Sequence, residues 1–94
     1  MYLRIARSRA DPATTDEERQ LLQEVVAAIK RQRGCQSCVS GVDRASGRTL
    51  IVSTWDTEEH ARFSRDALGD IMPRVQALGG QPDPPEFFEV TSQA

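Results

Sequence analysis

The stretch R-T-L-I-V-S-T-W-D-T-E-E-H-A-R-F, residues 48–63, constrains this chain more than any other. It predicts a strand over residues 48–55 that ends on the sole tryptophan, Trp55, and turns at once into a helix. Leu50, Ile51 and Val52 supply the β-branched and leucine mass of the strand. Asp56 or Thr57 then caps the helix. Asp56 with Glu59 has the spacing of a capping box, in which each side chain satisfies an unpaired backbone N–H. A large ring held at such a junction is either a wedge in the core or the wall of a pocket.

The other elements arrange themselves around this junction. Residues 2–8 alternate, with Leu3 and Ile5 on one face and Arg4 and Ala6 on the other, and read as a strand. Asp11-Pro12 signals a turn. Residues 14–33 form the strongest helix pattern. Thr15 and Glu18 make a capping box there, and Leu21, Leu22, Val25, Val26 and Ile29 give one apolar face. Acidic residues open that helix and Lys30, Arg31 and Arg33 close it, both in favour of the helix dipole, before Gly34 stops it. Residues 35–43 read as a strand weakened by Gly41, and residues 44–47 as a hairpin turn into the strand that ends on Trp55. A second long helix is predicted over residues 57–68 and a shorter one over 70–78, capped by Asp70 with Pro73 in its first turn. Residues 79–85 are a loop and 86–91 a last strand.

The order strand, helix, strand, strand, helix, strand is the split βαβ arrangement: an α+β, ferredoxin-like domain over residues 1–94. Both helices cover one face of a four-stranded antiparallel sheet. If Ile51, Ser53 and Trp55 face the helices, Leu50 and Val52 lie on the uncovered face. Ninety-four residues build only a thin core, so burial against a second copy helps. A homodimer packed sheet on sheet is the expectation.

Charge narrows the function classes. With 12 basic and 14 acidic residues the net charge is −2, which gives no overall attraction to nucleic acid or to an anionic membrane. RNA binding on such a sheet needs aromatics along its central strands, and Tyr2 and Trp55 stand only at their ends. No apolar run reaches the length of a membrane span, and the first residues are too short and charged for a secretion signal, so a cytoplasmic protein is expected.

Three pieces resemble the antibiotic biosynthesis monooxygenase family of dimeric α+β barrel proteins. They are Gly34-Cys35 leading into the second strand, the hairpin at residues 43–47, and V-S-T-W-D-T-E-E at residues 52–59, which is similar to the family's strand-end tryptophan and acidic helix start. The resemblance implies a pocket in each subunit between sheet and helices, and cofactor-independent oxygenation of a quinol, aromatic or polyketide-like molecule. A related branch degrades haem with an asparagine, a tryptophan and a helix histidine. This chain contains no asparagine, and only Trp55 corresponds.

Within that frame Trp55 and Phe63 are expected to line the pocket, with Ser53 and Arg4 as further substrate contacts. Trp55 would stack on a planar substrate; as a core residue it would instead direct its N–H to a carbonyl. Arg4 would hold an enolate or carboxylate, unless it is a solvated edge charge. His60 shares a helical face with Phe63, pointing towards the sheet, and an imidazole exchanges its proton near neutral pH. It is the candidate base for a phenol or quinol proton, or else a half-buried side chain bonded locally. No cofactor is needed for such chemistry. Cys35-Gln-Ser-Cys38 enters a strand, where residues three apart face opposite ways, so no disulfide is expected. Two cysteines and one histidine fall short of a zinc site.

Overall fold

A strand whose alternate residues are Thr49, Ile51, Ser53 and Trp55 has one face that must be covered, and the helices cover it. A computed structural model describes residues 1–9, 13 and 15–94, the side chain of Thr15 excepted. The turn expected at Asp11-Pro12 and the Thr15 half of the first capping box lie outside the described residues.

The strands are β1 (Tyr2–Arg9), β2 (Cys35–Asp43), β3 (Arg48–Trp55), β4 (Gln81–Pro82) and β5 (Glu86–Glu89). The helices are α1 (Thr15–Lys30), α2 (Glu58–Ala61) and α3 (Ile71–Ala77), with a 3₁₀ turn at Arg65–Leu68. β2 pairs with β3 and β3 with β1, while β4 and β5 both lie along the other side of β1. Every pairing is antiparallel. This is the α+β, ferredoxin-like sheet that the order of elements predicts.

The fourth strand is longer than expected and interrupted. Pro82 pairs with Ser8 and Gln81 with Arg9, whereas β5 pairs with residues 2–5 of β1. Between them Asp83 N–H donates to the Arg7 carbonyl at 2.9 Å. Pro84 and Pro85 have no N–H to give, so the ladder breaks there and resumes at Glu86.

The helix predicted over residues 57–68 is also divided. α2 is one turn long, and Arg62 already leaves helical geometry. Ser64 then caps a new start, its Oγ accepting from Asp66 N–H at 3.2 Å. A serine with this role ends one helix because it begins another. In α3 Asp70 holds the cap position without a side-chain bond.

The core lies between the sheet and the helices. Val25, Ala28 and Ile29 from α1 meet Trp55, Ala61, Leu68 and Val75. On the other face Leu3, Ile5, Leu50 and Val52 are half-buried with no helix over them. Val39 opposite Val52 and Phe88 opposite Leu3 extend that apolar face, at 62% and 48% exposed.

Candidate functional site

The junction singled out in the sequence is the centre of the core. Trp55 has no exposed surface. Its indole N–H donates to Ser53 Oγ at 2.8 Å, and Ser53, equally buried, donates in turn to the Arg4 carbonyl at 3.5 Å. The partner of the indole is therefore a hydroxyl and not a carbonyl. The Phe63 ring lies 5.2 Å from the Trp55 ring, tilted by 33°. The Arg4 guanidinium stacks over the other side of this motif, 4.2 Å from the Phe63 centroid. Four of the five expected site residues thus form one connected group. The break after α2 contributes, because it frees Phe63 from the helix path.

Beside this group is a cavity roofed by α1, α3 and the 3₁₀ turn and floored by β1 and β3. Leu22, Val25, Leu68, Met72 and Val75 make its apolar walls, and Arg4, Arg65 and Arg7 carry its charge, Arg7 being paired with Glu86. It holds about 40 Å³, space on the scale of a few water molecules. Of the expected residues only Arg4 lines it; Trp55, Phe63 and Ser53 stand behind Arg4. A larger open groove of about 400 Å³ passes Arg7, Asp43, Arg48 and Leu50 at the end of the sheet. Two of its three arginines are already paired, Arg7 with Glu86 and Arg48 with Asp43, and Arg9 is the third.

Arg4 is 4% exposed, and its Nε has no hydrogen-bond partner. Burial, reinforced by the nearby Arg65, pushes its pKa down to about 10, which leaves it cationic at neutral pH. Phe63 partly compensates through its ring face.

His60 does not point into the cavity. Its Nδ1 lies 2.7 Å from Asp56 Oδ1, and the side chain is 28% exposed. The cap of α2 is Thr57, whose Oγ1 accepts from His60 N–H at 3.2 Å, so Asp56 is released from capping to bind the ring. The hydrogen bond from His60 holds the Asp56 carboxyl below its usual range. Gly34 makes this pair possible: at φ 85° it has no Cβ, and one placed there would sit 2.8 Å from His60 Cβ.

The two cysteines correct the expectation of opposite faces. The register of β2 shifts between Cys35 and Ser37, a bulge that absorbs Gln36. Cys35 then pairs with Trp55 and Cys38 with Ser53, and both pack against the core as free thiols. Burial pushes both thiols up, Cys38 to about 11 with Cys35 adding to the effect. Neither is a ready thiolate at neutral pH. Among the described residues no group of three or more His, Cys, Asp or Glu could hold a metal ion.

Sequence reasoning missed Arg65, Met72 and the buried Glu18. Arg65 carried no signal as part of a long helix; the Ser64 cap beside it was the available clue.

Comparison with known proteins places this geometry. The chain resembles a proposed antibiotic biosynthesis monooxygenase of Deinococcus radiodurans, with a TM-score of 0.80 and 18% identity over 100% of this chain and 96% of that one. It resembles a Streptomyces coelicolor monooxygenase from the gene ActVA-Orf6, solved with nanaomycin D, at TM-score 0.77 and 16% identity, covering 99% and 89%. SnoaB, a cofactor-independent oxygenase from Streptomyces nogalater, gives 0.68 and 17%, covering 98% and 94%. At these identities the likeness establishes the fold. No curated protein matches the chain. No helix among the described residues is long and apolar enough to cross a membrane. The profile of the antibiotic biosynthesis monooxygenase family matches residues 1–69, well over half of the sequence, and the chain belongs to that family.

Proposed function

We propose that the protein is a small cofactor-independent monooxygenase acting, as a homodimer, on an aromatic, quinol or polyketide-like molecule held between sheet and helices. The observation that carries this reading is the apolar cavity with Arg4 buried at its floor. Two structural relatives support it: one is a cofactor-independent oxygenase and another was solved with nanaomycin D bound. A phenol or quinol that has lost its proton is electron-rich enough to reduce oxygen itself. The protein's task is to favour that ionised form, orient it and exclude water. Arg4 favours the ionised form by charge. Phe63, Trp55 and Ser53 fix Arg4 from behind through stacking and the hydrogen bonds described above. A polycyclic guest needs the Met72 side of the cavity to open, and methionine is the side chain best able to adapt.

For His60 the geometry favours a tie between Asp56 and the Gly34 corner. Its expected role as base is tested by His60→Gln, which reduces turnover by about two to four orders of magnitude if the ring takes the proton. A second reading is a non-catalytic binder or a dimerisation module with a filled core, favoured by the complete burial of Trp55.

One experiment separates these. Purified protein is mixed with a panel of quinols and hydroxylated polycyclic aromatics without added cofactor, and oxygen uptake is followed with Trp55 fluorescence. Uptake above the uncatalysed rate is expected. Fluorescence change without uptake would assign a binder, and neither signal would assign the module.

A further inference from the structure

Among the described residues, five of the protein's twelve basic residues form a side-chain ion pair. Arg7, Arg44, Arg48, Arg62 and Arg74 each meet a carboxylate within 3.3 Å. All of these are substantially exposed, where such a partner is least needed. Arg4 is the buried cation among the described residues, and it has no such pair. Among the described residues no carboxylate pairs with it, and its Nε has no partner. Its charged neighbour is a second guanidinium, Arg65, on the same cavity. Arg65 is held in place from the far side, where it donates to the Asp83 carbonyl at 3.1 Å.

A guanidinium does not shed its proton to escape burial. Stacking on Phe63 offsets part of the lost hydration but supplies no negative charge. Arg7 also lines the cavity but is paired with Glu86, which leaves Arg4 and Arg65 as two like charges facing one space whose other walls are mostly apolar, and this raises its affinity for an anion. We infer that this cavity takes its ligand as an anion, a planar apolar molecule whose carboxylate or ionised enol oxygen is bound by Arg4 with Arg65 as the second cation. The inference rests on the cavity being the ligand site, and it narrows the substrate class to acids. It does not depend on the oxygenation step.

The test is isothermal titration calorimetry with three probes: 2-naphthoate, its methyl ester and 2-naphthol, the last below and above its ionisation. Naphthoate is expected to bind about ten- to hundredfold more tightly than the ester. Naphthol is expected to gain affinity on ionising, so the two anion types are scored separately. Arg4→Met is expected to abolish the preference for acid over ester, and Arg65→Gln to reduce it. Arg4→Lys, which keeps the charge without the fork, is expected to retain part of it. A thermal-shift series on the unmodified protein gives the same comparison without any variant: naphthoate raises the melting temperature and the ester does not. Equal binding of acid and ester, an acid preference that survives Arg4→Met, or no binding of any probe would overturn the inference. Acid preference without oxygen uptake would leave it standing and overturn the oxygenase reading. Uptake with neutral quinols and no acid preference would do the reverse.

Discussion

Glu18 carries a carboxylate on the apolar side of its helix. The stripe Leu22, Val25 and Ile29 extends back one turn to residue 18, and Glu18 is 1% exposed with Oε1 unpartnered. Burial raises its pKa above the ordinary 4.5. A carboxyl raised on folding binds a proton in the folded state. Its contribution is therefore fully present below the unfolded value and is lost as pH rises through the folded one. Glu18→Gln keeps the shape and removes the charge. It is expected to add about 1 kcal/mol at neutral pH and to flatten the loss of stability above pH 4.5, measured by urea unfolding across a pH series. An unchanged slope would assign the pH dependence to another group. At this scale the sequence was legible where pattern and chemistry agree. Ile51, Ser53 and Trp55 alternate, and all three turn to the helices. It was harder to read where one residue fits two roles: a glutamate three residues after Thr15 has the spacing of a cap, and its place one turn before Leu22 also puts it on the apolar side.

Between elements, the corner from α1 to β2 is locked against the start of α2. The Gly34 carbonyl accepts from Asp56 N–H at 3.0 Å, and the Asp56–His60 pair fills the space a side chain would need. Gly34→Ala is expected to cost about 1–3 kcal/mol, because it imposes both a left-handed backbone and a collision. Thermal denaturation checks this. A cost below that range would mean that the corner relaxes freely and that the tie is weak. Element order and the hairpin were readable because glycine and capping residues mark chain reversals chemically. The Gln36 bulge was not, since an extra residue in a strand changes no local preference and shows only once its partner is known. The split of the second helix lay between these cases. Ser64 is a cap by residue type, yet the surrounding apolar spacing also suits a continuous helix.

For the whole molecule, the bare face of the sheet is the main open account. Leu3, Ile5, Leu50 and Val52 with Val39 and Phe88 form an apolar surface that a second copy would cover. Val39→Asp combined with Val52→Lys is expected to weaken self-association by about two orders of magnitude, read by light scattering against concentration. An unaltered mass would mean that no self-association runs through this face. The family's shared pattern spans residues 1–69, which includes the sheet's three long strands, α1 and Arg4. Met72 and Val75, which close the cavity opposite Arg4, come after it. The frame thus falls within the matched span, while part of the chamber's wall comes from a short helix beyond it. A few substitutions in α3 would therefore reshape this chamber and leave the long strands untouched.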